Sequence, residues 1–122
     1  MQFHDLLKKK IDFTIHKIYK LTRNFPREEI YGVTSQLRRA ALSIMLNYIE
    51  GFARINGNVY KNFVEISYGS LKETKYLIYF SYTEKYILKK DYEETMNLLD
   101  EIGAMLWKLM EGKKLDCSKT HK

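Results

Sequence analysis

Six basic side chains are the residues of this chain with a recognisable chemistry: Arg23, Arg27, Arg38, Arg39, Arg54 and Lys61. All five arginines fall within the first 54 residues, and tyrosines are interleaved with them. A guanidinium is planar and grips a phosphate through two parallel N–H groups. Tyrosine rings add surfaces on which unpaired bases stack. The charge count points the same way. Residues 1–61 hold 11 Lys/Arg against 5 Asp/Glu, whereas residues 62–122 hold 10 of each, so the whole net charge of +6 lies in the first half. An uneven basic surface attracts polyanions, nucleic acid above all. The alternative is a solvated face that serves solubility. No base-reading motif accompanies the arginines, so the binding implied is to the RNA or DNA backbone without sequence selection. On a helix Arg38 and Arg39 project about 100° apart. One of them is therefore expected to serve the core or a polar network.

Other chemistry is sparse. His4, His16 and His121 form neither a Glu-x-x-His nor a His-x-x-x-His spacing, so no metal site is expected. Cys117 is the single cysteine; it could be a nucleophile only if held beside a base, and its place in the expected tail makes it incidental. Neither a GxxxxGK[ST] nor a GxGxxG phosphate loop occurs, and no cofactor is expected. Ser70 follows Gly69 but lacks the nucleophile-elbow pattern. Glu50 lies among Tyr48, Ile49, Gly51 and Phe52. A buried Glu there is either an acid/base with a raised pKa or part of a structural polar network with Gln36 and Asn47. We expect the network, no catalytic residue, and a chain that is not an enzyme.

Helices must position these groups. No apolar/polar alternation bounded by hairpin turns is present, and helical periodicity runs nearly throughout. A first helix is predicted from about Asp5 to Arg23, with Leu7, Ile11, Ile15, Ile18 and Leu21 on one stripe and Leu6 and Phe13 beside it. Pro26 ends it and opens a short helical turn that Gly32 stops. A second helix spans about Thr34 to Arg54, with Thr34 or Ser35 as its cap. After the Asn56-Gly57-Asn58 turn, a third runs from about Val59 to Ile87, and a fourth from about Lys90 to Glu111. Gly112 is expected to end the fourth helix, leaving 113–122 as a polar tail. The expected fold is all-α: one domain over residues 1–112, an antiparallel up-down-up-down four-helix bundle.

The third helix carries two further expectations. Gly69-Ser70 lies in its middle, where glycine costs roughly 1 kcal/mol, and close approach of another helix is the simplest reason for it. Beyond it, Tyr76-Leu77-Ile78-Tyr79-Phe80 and Tyr82 cover every side of the helix, more than one buried stripe needs. Tyr76, Tyr79, Phe80 and Tyr82 are therefore expected to face a second copy of the chain. The alternative is long tyrosines covering the core edges with their hydroxyls in water.

The N-terminus has no signal pattern and no stretch approaches the ~18 apolar residues of a membrane span. With a lone cysteine the fold needs no oxidising compartment. The expectation is a cytoplasmic protein with no membrane partner.

One long motif string remains: Phe25-Pro26-x-x-Glu29-x-Tyr31-Gly32, Thr34-x-Gln36-Leu37-Arg38-Arg39-Ala40-Ala41-x-Ser43-Ile44, Asn47-x-x-Glu50-Gly51-x-x-Arg54, then Phe63 and Gly69-Ser70-Leu71-x-Glu73. It resembles the 23S rRNA intervening-sequence protein family, whose relatives include accessory variability determinant proteins of diversity-generating retroelements. The resemblance implies an antiparallel four-helix bundle assembled into a ring-like homopentamer, and no enzymatic activity. For the retroelement relatives it implies a basic surface that binds nucleic acid and a reverse transcriptase. The family's usual Pro-x-Asn-Ile-Ala-Glu-Gly run is here Met45-Leu46-Asn47-Tyr48-Ile49-Glu50-Gly51. Tyr48 and Ile49 are bulkier, so the second helix must pack differently there. Two functions fit: an oligomeric protein that binds the RNA or DNA backbone, or a scaffold that recruits a protein partner such as a reverse transcriptase without touching nucleic acid.

Overall fold

The computed structural model describes residues 2–54 and 57–120, with side chains described as far as Glu111. Among the described residues there are four helices and no strand: α1 (Phe3–Thr22), α2 (Val33–Phe52), α3 (Gly57–Thr83) and α4 (Lys89–Thr120). A 3₁₀ turn, Arg27–Glu29, lies between α1 and α2. Each helix contributes one stripe to a four-helix bundle. In α1 it is Leu7, Ile11, Thr14, Ile15, Ile18 and Thr22, and in α2 Leu37, Ala40, Ala41, Ile44 and Tyr48 lie at its centre. Fully burying a Leu or Ile side chain stabilises by about 1.5–3 kcal/mol, so these stripes hold the bundle. α1 and α3 each pack on both α2 and α4, and the α2–α3 seam is the most extensive.

The stripe of α3 is a strict heptad. Val64, Leu71 and Ile78 alternate with Ser67, Thr74 and Ser81, all buried. The small hydroxyl residues let neighbouring helices come close, and backbone carbonyls satisfy them. Ser67 Oγ donates across the seam to Ile44 O at 2.7 Å, while Thr74 and Ser81 donate back to Ser70 O and Leu77 O on their own helix.

Several helix ends differ from the sequence expectation, each for a local reason. Neither Thr34 nor Ser35 caps α2. The helix begins at Val33, whose N–H donates to the Glu29 carboxylate at 3.2 Å, so the preceding turn supplies the cap. α3 ends at Thr83, not Ile87. Tyr86 N donates to Ser81 O and Lys85 N to Tyr82 O, with Lys85 in the left-handed region at φ 67°. That is a Schellman closure with lysine where glycine is usual. Ile87 is buried beyond the stop. Gly112 does not end α4, whose helical backbone continues to Thr120. One glycine costs only about 1 kcal/mol, which good helix formers such as Lys113, Lys114 and Leu115 offset.

Candidate functional site

Arginines converge where α1 turns into α2. Arg23, Arg27 and Arg38 line a cleft of about 260 Å³ together with Thr22, Phe25, Pro26, Ile30 and Thr34. Local structure sets each of them. Arg23 follows the last turn of α1, and Arg27 opens the 3₁₀ turn behind Pro26. Arg38 is one turn into α2, lies over the Tyr19 ring at 4.7 Å, and donates Nε–H to Thr22 Oγ1 at 2.8 Å. Its guanidinium is thus held on two sides before any ligand arrives. Among the described residues none of these three arginines is ion-paired.

One acid of the adjoining turn, Glu29, is already engaged. Glu29 Oε1 accepts the Val33 N–H, and Oε2 accepts the Tyr86 hydroxyl at 2.9 Å. Tyr86 also packs its ring on Phe25, 5.4 Å between centroids. The hydrogen bond to Glu29 pushes the Tyr86 hydroxyl up to about 12, because the phenol proton is held by a carboxylate. Glu28 remains exposed beside Arg27.

The other expected basic contacts lie elsewhere. Arg54 lies two residues beyond the far end of α2, which runs about 21 Å from Arg38 to Phe52 at 1.5 Å per residue, and pairs with Glu50 at 2.5 Å. Lys61 is within 3.8 Å of Glu65 on α3. Arg39 projects from a different side of α2 into a shallow groove of about 380 Å³ with Gln36, Ala40, Ser43 and Glu73. The six residues therefore do not form one surface: three share a cleft, one lines a separate groove, and two are paired with carboxylates one turn away.

The expected Gln36–Asn47–Glu50 network does not form. Glu50 is exposed and holds Arg54, and Gln36 is exposed as well. Asn47 instead donates to Ser43 O and Ser43 Oγ, and Ser43 Oγ meets Ser70 Oγ at 2.7 Å across the α2–α3 seam. Ser70 thus bridges the two helices, but Gly69 does not mark their close approach. A Cβ added at Gly69 would meet nothing within 4 Å. The tight point is Gly51, where a Cβ would lie 2.9 Å from Phe63 Cβ and 3.2 Å from Tyr60 O.

Tyr48, the bulky departure noted above, is fully buried. Its hydroxyl shares a hydrogen bond with His4 Nδ1, and the His4 ring stacks on Phe52 at 4.3 Å. Burial raises the Tyr48 pKa, with Tyr60 and Asp5 adding to it. Sequence reading gave His4 no role; only its partner 44 residues away reveals one.

Of the four aromatic residues expected at a subunit contact, Tyr76 and Tyr79 are exposed. Phe80 packs partly against the core, and Tyr82 stacks on Tyr92 of α4 at 4.2 Å. A second exposed apolar face, unforeseen, runs along α2 through Leu42, Leu46, Ile49 and Phe52, with Ile15 and Tyr19 of α1 beside Leu42 and Leu46. Among the described residues no group of three His, Cys, Asp or Glu side chains is arranged to hold a metal ion. No described helix is long and apolar enough to cross a membrane.

These features define a helical bundle with a basic corner and exposed apolar faces. Residues 4–108 match the 23S rRNA-intervening sequence protein family, and the chain belongs to it. The fold is also that of a crystal structure from Bacteroides thetaiotaomicron VPI-5482, described as a protein with unknown function from the S23 ribosomal protein family. That protein is 22% identical, with a TM-score of 0.83 over 90% of this chain and 99% of the other. No curated protein matches the chain.

Proposed function

We propose that this chain is a non-enzymatic, homo-oligomeric protein of the cytoplasm that binds the RNA or DNA backbone through the corner formed by Arg23, Arg27 and Arg38. One observation carries the reading: three arginines without carboxylate partners line a single cleft. Phosphate oxygens are the ligands such a cluster suits.

The bundle is read as antiparallel, up-down-up-down. Lys10 pairs with Glu101 and Lys17 with Glu94, so residue numbers rise on α1 as they fall on α4. The two exposed apolar faces, one on α1–α2 and one at Tyr76 and Tyr79 of α3, support a ring. A head-to-tail interface needs two different patches on each subunit, and a closed rotation such as a pentamer satisfies both everywhere.

The test is a gel shift across salt concentrations. Three phosphate contacts per site predict a loss of affinity of roughly 40-fold on a duplex, or roughly 20-fold on a single strand, between about 50 and 200 mM salt. Binding that survives Arg23→Ala with Arg27→Ala, or that ignores salt, would place the contacts elsewhere. The apolar α1–α2 face supports a second reading, a scaffold whose protein partner alone touches nucleic acid. That reading predicts no shift with the purified chain.

A further inference from the structure

The shape of the arginine corner is more specific than its charge. It is a cleft and not a flat strip, and its walls are mixed: guanidinium groups stand beside Phe25, Pro26 and Ile30. Immediately after Ile30, which is 53% exposed, comes Tyr31 at 95% exposure. An aromatic ring held almost wholly in water beside an exposed aliphatic chain gains nothing from the fold, because none of its surface is buried. It is available to stack on a flat partner.

The other basic residues singled out in the sequence do not extend the cleft. Arg54 and Lys61 are paired with Glu50 and Glu65 at the far end of α2, and Arg39 stands in a separate groove opposite Glu73. A duplex presents long rows of phosphates with its bases stacked inside, out of reach of Tyr31. An unpaired strand offers a phosphate and a free base within one nucleotide of each other, which matches a short cationic cleft beside apolar and aromatic side chains. Thr34 forms part of the same wall. It is 95% buried, since its exposure is 5%, and its hydroxyl has no hydrogen-bond partner.

We infer that this corner is a site for unpaired nucleotides, with phosphate on Arg23, Arg27 and Arg38 and a base against Ile30 and Tyr31. This rests on the nucleic-acid reading proposed above. The experiment is fluorescence anisotropy of the full chain with three probes: a labelled uridine oligonucleotide, a blunt two-stranded duplex of equal phosphate count, and vesicles containing anionic lipid. The variants are Tyr31→Ala, whose exposure keeps it out of the core, and Arg23→Ala with Arg27→Ala.

Single-strand affinity is expected to exceed duplex affinity by about 10-fold or more. Tyr31→Ala should weaken single-strand binding by about 10-fold, the scale of one lost base stack, and leave the duplex unchanged. The arginine double variant should weaken both. Equal affinity for strand and duplex, or an unaffected Tyr31→Ala, would overturn the unpaired-strand inference while salt-sensitive, arginine-dependent binding kept the backbone reading intact. Failure to bind either oligonucleotide would overturn both, and binding to vesicles alone would assign the corner to a membrane surface instead.

Discussion

The two ends of α2 carry the same residue type with opposite consequences. At the N-terminal end Arg38 joins Arg23 and Arg27 around a cleft without an ion pair among the described residues. At the C-terminal end Arg54 is bound to Glu50, one turn before it. The difference is local in origin. Four residues before and after Arg38 stand Thr34 and Leu42, neither of them acidic, whereas Arg54 has a glutamate at that distance. The ends also differ in what holds them. The N-terminal end is tied by a polar hub, Glu29 with Val33 N–H and the Tyr86 hydroxyl. The C-terminal end is tied by close backbone contact at Gly51 and by the His4–Tyr48–Phe52 ring cluster. An arginine is therefore available for a ligand where the scaffold is held by other groups.

The sharpest way to break this comparison is at the tight end. Gly51→Val should destabilise the fold by about 3 kcal/mol, because the new side chain meets α3 backbone and Phe63 Cβ where neither can retreat. Urea denaturation measures it, and an unchanged midpoint would mean that α2 and α3 are not held together there. Next in size is binding. Arg23→Ala with Arg27→Ala should weaken oligonucleotide affinity by about 30-fold, as expected for two lost phosphate contacts, and Arg54→Ala by less than about 3-fold. Equal effects from the two ends would erase the distinction drawn between them.

The polar hub comes third. Glu29→Ala removes the cap of α2 and the acceptor of Tyr86, and should cost about 1–2 kcal/mol in a thermal or urea melt. Lys85→Gly works in the opposite direction. It relieves a left-handed lysine at the closure of α3 and should stabilise by about 1 kcal/mol. The smallest effect is in pH. Tyr86 keeps its proton more tightly folded than unfolded, so its contribution is complete below pH 10 and is lost as pH rises through about 12. Tyr86→Phe should flatten that part of the alkaline stability curve, and a curve identical to the parent chain's would remove the Glu29 bond from the account.

The helices themselves were legible in the sequence because periodicity is local: the buried positions of α1, from Leu7 to Ile18, fall three or four apart as read. The Arg54–Glu50 and Lys61–Glu65 pairs were legible by the same spacing, though charge counting alone passed over them. The heptad of small hydroxyl residues in α3 was visible too, but the aromatic run beside it carried the stronger signal. The arginine corner was legible only in part. Its arginines stood out by type, yet nothing in the sequence separated Arg23, Arg27 and Arg38 from Arg39, Arg54 and Lys61 as members of one cleft.

Composition and spacing, then, determined by themselves that this chain folds as four helices with its positive charge in the first half. Hydrophobic periodicity and net charge are properties of the chain before it folds. Only the tertiary structure decided which arginines meet, that Gly51 and not Gly69 is the point of closest approach, and that Glu29 caps α2 while holding Tyr86 from 57 residues away. Those outcomes depend on the rotation and register of one helix against another. That geometry is set jointly by side chains from all four stripes, and no single segment encodes it.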